Sequence, residues 1–368
     1  MQAVIPSPPT ASMTIFRLTS LSVAFWMISL MAARWLGTTI VPQAIVYQSP
    51  APFGQDLKFL DTRLVLLANL TREVGDESFP AWSPDGSQLV YFSLQDNQYR
   101  LQARDAAGNL LGSLPLARGG LGYPAWSPDG RSIAYSEERD GHAAIYRLEV
   151  ACLIHQAQCI PQKLTDYRAE LLQWSPDGSQ MVFMSNCENN CDLYLLNLSG
   201  RSVVQLTNNG LYDAFPSWSP DGNRIVFMSS RRTSFELYML DLTCVASPGS
   251  CEDHLQRLTD NRDFDGFPVW SPDGQRILYS SQRDGNFNLY EMGTACLDEQ
   301  PSTCEQSARA LTTSPANDIS AVWSPDGRWI AFVSDNRLAV MPAEGGPIRY
   351  LVDGVQPNQA LLWRPTMP

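Results

Sequence analysis

Short apolar runs alternate with polar turns along most of this chain, and the runs come in a fixed order. One run ends in Trp, as in Phe267-Pro268-Val269-Trp270, and a polar Ser-Pro-Asp-Gly follows. A second run is rich in β-branched and aromatic residues, as in Ile225-Val226-Phe227-Met228 and Ile277-Leu278-Tyr279. Runs this short, bounded by turn residues, predict strands. A polar hairpin such as Arg139-Asp140-Gly141 or Arg283-Asp284-Gly285 leads to a third run with Tyr, at Ile145-Tyr146, Leu193-Tyr194, Leu237-Tyr238 and Leu289-Tyr290. A fourth ends in Leu-Thr, at Leu164-Thr165, Leu206-Thr207, Leu258-Thr259 and Leu311-Thr312. The unit is therefore four strands joined in sequence.

The unit repeats. Trp-Ser-Pro-Asp-Gly begins at Trp82, Trp126, Trp174, Trp218, Trp270 and Trp323, and Trp363-Arg364-Pro365 is an imperfect further copy. The intervals are 44, 48, 44, 52, 53 and 40 residues, the period of a four-stranded propeller blade rather than of a helical repeat. Ser-Pro-Asp-Gly is turn chemistry: Pro presets φ, Asp bonds its own backbone two residues on, and Gly takes the left-handed conformation. That assigns the Asp to the turn. The Trp offers a large face to wedge between adjacent sheets.

The full pattern, covering most of residues 44–365, resembles the TolB-type β-propeller repeat, which also occurs in the propellers of prolyl-oligopeptidase-like enzymes. The resemblance implies an all-β propeller of four-stranded blades. Residues before the first motif fit the same register: Ile45-Val46-Tyr47-Gln48-Ser49 aligns with Ile225-Val226-Phe227-Met228-Ser229, Leu57-Lys58-Phe59-Leu60-Asp61 with Leu237-Tyr238-Met239-Leu240-Asp241, and Asn69-Leu70-Thr71 with the Leu-Thr ends. The N-terminal part thus supplies strands two to four of a blade and Gln359–Trp363 supplies strand one, so the two chain ends pair and no sheet edge is left open. This predicts seven blades. Six, as in TolB itself, is the alternative, and it would leave the Trp363 strand and residues 44–60 unused.

Residues 18–33 form an uncharged apolar run between Arg17 and Arg34, extended by residues 35–41. Residues 1–17 are read as a short tail, 18–41 as a helical signal-anchor or signal-peptide segment, and 44–365 as the propeller domain. The absence of a clean small-residue cleavage site favours a retained membrane anchor, with a secreted or periplasmic protein after cleavage as the alternative; Met1 or Met13 would serve as the start.

Eight cysteines fall into four close pairs: Cys152 with Cys159, Cys187 with Cys191, Cys244 with Cys251, and Cys296 with Cys304. They predict four local disulfides in an extracytoplasmic compartment. Three of the pairs are expected at equivalent places, after the third-strand Tyr and before the Leu-Thr strand. A shared metal cage is disfavoured because the pairs lie on different blades. The net charge of −12, with no basic cluster, argues against nucleic acid as a partner.

Catalytic chemistry is sparse in the sequence. Three histidines, His142, His155 and His254, two of them at the cysteine loops, offer no positioned base, and no Gly-x-Ser-x-Gly elbow or hydrolase domain follows the propeller. One constellation converges. Five residues before each Trp stand Glu77, Leu121, Ala169, Asp213, Asp265, Asp318 and Asn358. Glu77, Asp213, Asp265 and Asp318 at the channel mouth would attract a basic peptide or a hard cation such as Ca²⁺; the bland reading makes them ordinary polar loop residues. The expectation is a non-enzymatic propeller of the cell envelope that binds a protein or peptide, as resemblance to TolB implies. The alternative is a carbohydrate-binding or carbohydrate-processing propeller, with Glu77 and Glu170 as acid and base and Phe79, Tyr123, Phe215 and Phe267 beside them.

Overall fold

The computed structural model describes residues 44–51, 54–61, 66–71, 76–117, 123–155, 159–188, 190–246, 251–298, 301–355 and 361–365. The N-terminal apolar segment lies outside these residues. Among the described residues no helix is long and apolar enough to cross a membrane.

The described chain is all-β, in sheets whose strands follow the repeat. Five sheets have four strands each, running outward in chain order or its reverse; one comprises Asp213–Trp218, Arg224–Ser229, Glu236–Asp241 and Leu255–Arg257. A sixth sheet has eight strands in two sets of four. One set is Asp76–Trp82, Gln88–Gln95, Gln98–Asp105 and Leu110–Pro115. The other joins Ala44–Ala51, Gly54–Asp61 and Leu66–Asn69 to the C-terminal strand Leu361–Trp363, with Ile45 opposite Trp363 and Tyr47 opposite Leu361. A single parallel pair, Gln55 with Asp76, links the two sets.

The middles of the second strands are apolar because both faces are covered. Ile225, Val226 and Phe227 are fully buried, as are Ile277, Leu278, Ile330, Ala331 and Phe332. Two of the motif tryptophans bond to a neighbouring sheet: the indole Nε1 of Trp126 donates to Ala81 O at 3.0 Å, and that of Trp174 to Ala125 O at 3.0 Å.

Each Ser-Pro-Asp-Gly is the tight turn expected. Ser83 Oγ donates to Asp85 Oδ1 at 2.6 Å, the Ser87 amide donates to the same oxygen at 3.0 Å, and Gly86 has φ +68°. The five other copies keep the Ser-to-Asp bond. Successive turns touch, so that a Cβ on Gly178 would stand 3.4 Å from Pro128 and one on Gly274 3.5 Å from Pro220. For Gly86 the neighbour is the C-terminal segment: Pro365 O lies 2.3 Å from where its Cβ would be, and Arg364 Nε donates to Gly86 O at 2.7 Å.

All four predicted disulfides are formed: Cys152 is bonded to Cys159, Cys187 to Cys191, Cys244 to Cys251, and Cys296 to Cys304. The bond from Cys187 to Cys191 is the odd one. It closes the hairpin between a second strand, Gln180–Ser185, and a third, Asp192–Asn197, with Cys191 fully buried. The other three, including the half-buried Cys159, lie between third and fourth strands and fold that loop onto the preceding blade. The short helix Val150–Ile154, which contains Cys152, shows how closely: Leu153 O would lie 2.0 Å from a Cβ on Gly112, in the outermost strand of that blade.

Candidate functional site

The acidic positions occur where first strands begin, and the structure changes their role. Glu77, Asp213, Asp265 and Asp318 are each 0% exposed, so they line no open mouth. A buried carboxylate must be hydrogen-bonded or paired, and the neighbouring residues meet that need. Asp213 Oδ2 accepts from Asn209 Nδ2 at 2.6 Å and from Arg231 Nη2 at 2.7 Å. Asp265 repeats the arrangement with Asn261 and with Arg283 Nη2 at 3.0 Å. Glu77 Oε2 accepts from Thr71 Oγ1 at 3.1 Å, and the Ser314 hydroxyl lies 3.5 Å from Asp318 Oδ2. Burial raises the Asp265 and Asp318 carboxyls above the usual range.

The arginines carry the contacts further. Arg231 also pairs with Glu252, whose other oxygen accepts the Asn208 amide at the exit of the preceding blade at 3.1 Å. Arg283 lies 3.5 Å from Glu305, which accepts the Asp260 amide at 2.6 Å. Glu252 and Glu305 each follow the second cysteine of a disulfide, Cys251 and Cys304. The acidic positions of these two blades are thus inner ends of clasps between blades. In the blade whose corresponding position is Leu121, outside the described residues, buried Glu137 does similar work: it accepts from Arg139 Nη2 at 2.7 Å and from the Ala117 amide at 2.6 Å. Sequence reading missed Glu137, Glu252 and Glu305, since they come from other strands and loops; the adjacent cysteines were the available signal for the latter two.

The remaining candidates scatter. Ala169 is buried, and Asn358 lies outside the described residues. Glu170 is partly exposed, with Arg168 at 3.8 Å. His142, His155 and His254 are all exposed. Among the described residues no group of three or more His, Cys, Asp or Glu side chains is gathered as a metal site.

What the structure does gather is aromatic. Phe79, Phe215 and Phe267 occupy one register position, three before the Trp, and each has positive φ, +54°, +54° and +57°. This conformation is costly for a bulky residue, about 1–3 kcal/mol. It accompanies a β-bulge in the first strand, as between Ala214 and Ser217 or Gly266 and Val269. The same bulge and positive φ occur at Ser320, which Ala321 follows, so they belong to the repeat and not to the Phe-Pro pair. Phe79 packs edge-on against Tyr123 of the next blade at 4.6 Å, and Phe215 against Phe267 at 4.8 Å. Phe267 continues to Phe264, which touches Phe235 at 5.3 Å and Phe287 at 5.4 Å. These rings are only partly buried. They form an aromatic surface at the start of the first strands.

Residues 165–247 match the family model for the TolB beta propeller domain. That stretch carries the TolB-type propeller repeat. Its structure is similar to that of TolB from Acinetobacter baumannii, with 20% identity over 95% of this chain and 74% of that one and a TM-score of 0.50. The periplasmic gluconolactonase of Pseudomonas aeruginosa is 13% identical over 89% of this chain and 99% of that one, with a TM-score of 0.61. An oligogalacturonate lyase from Vibrio parahaemolyticus is 11% identical over 84% of each, with a TM-score of 0.58. Identities this low establish a shared fold. The fold of this chain is therefore shared with a lyase and a lactonase as well as with TolB.

Proposed function

We propose that this chain is an extracytoplasmic, non-enzymatic propeller of seven blades, tethered to the membrane by residues 18–41, that binds a protein or peptide partner. Seven blades are supported by the pairing of Leu361–Trp363 with Ala44–Ala51 and by the seat of Pro365 against Gly86. Four disulfides fit an oxidising compartment.

One observation carries the binding role: the aromatic surface of Phe215, Phe235, Phe264, Phe267 and Phe287 stays partly exposed although its first-strand members sit in a costly backbone conformation. Aromatic clusters left partly exposed suit an apolar anchor from a partner chain. Peptide display against the full chain tests this. Enrichment of sequences with a large apolar residue, bound at least tenfold more weakly by Phe264→Ala and Phe287→Ala variants of unchanged melting temperature, is expected. No enrichment, or binding indifferent to both substitutions, sinks the reading.

The same rings favour a second reading, because aromatic faces also stack on sugars. The carboxylates proposed as acid and base weaken it: Glu77 is buried against Thr71. Turnover of an oligogalacturonate or a sugar lactone by the purified chain would establish it.

A further inference from the structure

The clasps between blades hold more carboxyls than cations. The Asp213 amide donates to the Cys191 carbonyl at 2.8 Å, which sets Asp213 beside Asp192, the first residue of the preceding blade's third strand and 3% exposed. The next clasp repeats this: the Asp265 amide donates to the Phe235 carbonyl at 2.8 Å, beside Glu236, which is 1% exposed. Arg231 serves Asp213 and Glu252, and Arg283 serves Asp265 and Glu305. Among the described residues no ion pair reaches Asp192 or Glu236. Tyr194 beside Asp192, and Tyr279 and Tyr290 near Asp265, are raised by burial and bring no positive charge.

Two neighbouring carboxyls buried with too few cations resolve their repulsion by keeping one proton between them. In the first clasp Asp192 Oδ2 accepts from Gln205 Nε2 at 3.2 Å, whereas Asp192 Oδ1 and Asp213 Oδ1 are both buried and make no hydrogen bond within the protein. Those two oxygens, one on each carboxyl, are what a proton would join. Burial first and the Asp213 charge second push the Asp192 carboxyl above the usual range. Burial, and then the Asp265 charge, do the same to Glu236 against the hydrogen bond from Thr259 Oγ1 at 2.6 Å. A third blade has the same backbone contact, from the Asp318 amide to the Phe287 carbonyl at 2.8 Å, but there the buried residue is Asn288. Its carboxamide is neutral at every pH and has the shape of a protonated aspartic acid.

We propose that each of the two clasps binds one proton, carried by Asp192 in the first and by Glu236 in the second, and that its release disturbs the aromatic surface. As pH rises the proton passes to solvent and two carboxylates are left facing each other. Phe235 immediately precedes Glu236 and Phe264 immediately precedes Asp265, with ring centres 5.3 Å apart, and Tyr212, which precedes Asp213, is 5.9 Å from Phe235. Repulsion within the carboxyl layer therefore acts on ring contacts one residue away. The proton sites stand whether or not a partner binds the surface, so this inference and the binding role fail separately.

Infrared titration of the full chain from about pH 6 to about pH 9, where exposed carboxyls are already ionised, tests the sites. A carbonyl band of protonated carboxylic acid that fades with rising pH is expected, and Asp192→Asn and Glu236→Gln should each remove part of it. Asn288→Asp, which sets a second carboxyl beside Asp318, should add to it. Fluorine resonances from fluorophenylalanine in place of Phe235 and Phe264 should shift along with the band, and should lose that shift in the Glu236→Gln variant. No acid band above about pH 6, or a band that neither Asp192→Asn nor Glu236→Gln diminishes, overturns the proton sites. Ring resonances indifferent to pH in a chain that shows the band overturn the link to the aromatic surface.

Discussion

The indole of Trp363 donates to the carbonyl of Val322 at 3.1 Å, the bond that Trp126 and Trp174 make to Ala81 and Ala125. Trp363 thus behaves as a repeat tryptophan although Asp and Gly are missing from the motif that follows it. Trp363→Phe should cost about 1 kcal/mol for the lost hydrogen bond, and Trp363→Ala about 3–5 kcal/mol. Urea unfolding measures both, and a Trp363→Phe variant as stable as the parent would show that the indole N–H contributes nothing.

Gly86 and Gly130 share a left-handed conformation but differ in their surroundings. A Cβ on Gly130 would lie 3.7 Å from Pro84, whereas one on Gly86 would collide with Pro365 O. Gly86→Ala should therefore be the more destabilising substitution, by about 1–3 kcal/mol of added overpacking. Comparable urea midpoints for the two variants would argue against a tight seat for the C-terminal segment.

Arg283 links the buried Asp265 to Glu305. Arg283→Ala leaves Asp265 without its ion-pair partner and should cost about 3–5 kcal/mol. Glu305→Gln, which weakens only the outer end, should cost about 1–2 kcal/mol. Thermal melting ranks them, and the reverse order would place the main strength of the clasp at the disulfide loop.

Two sets of carboxyls give opposite pH dependences. In the turns, hydrogen bonds from the motif serines lower Asp85, Asp129, Asp177, Asp221 and Asp273, so the stability they contribute is present above the unfolded value of about 3.9 and lost as pH falls through the folded ones. Burial raises Asp192, Glu236, Asp265 and Asp318, so their contribution is full below the unfolded value and lost as pH rises through the folded ones. Asp318, whose neighbours among the described residues are the hydroxyls of Thr312, Ser314 and Ser334 and the Asp335 carboxylate rather than an arginine, is the cleanest test. Asp318→Asn cannot ionise, so its melting temperature should gain on that of the parent from about pH 4 upward, and parallel curves would refute the assignment.

Strand order and turns were legible because the repeat states them many times. Trp, Ser-Pro-Asp-Gly and Leu-Thr fix where each strand starts and stops, and the same register identified residues 44–71 as blade rather than linker. The disulfides were legible too, since Cys159 and Cys191 each stand within a single loop of their partners. The acidic positions were found as a pattern but misread as exposed. Sequence spacing places Asp213 at a strand start, yet only the fold shows Arg231 and Asn209 arriving from a hairpin and a link to cover it. The positive φ at Phe215 and Phe267 was hidden for a related reason: Phe-Pro before Trp reads as packing, and the bulge belongs to the paired strands.

Ile45 and Trp363 lie opposite each other in one ladder although more than three hundred residues separate them. The pairing cannot form until the last of those residues is available, and contacts of such long range slow folding through the loop entropy they must overcome. The early strands therefore wait, with an edge open, while the rest of the chain is made. Such an edge invites strand exchange with another copy. The kinetic hazard of this architecture is intermolecular, and it is concentrated in residues 44–51.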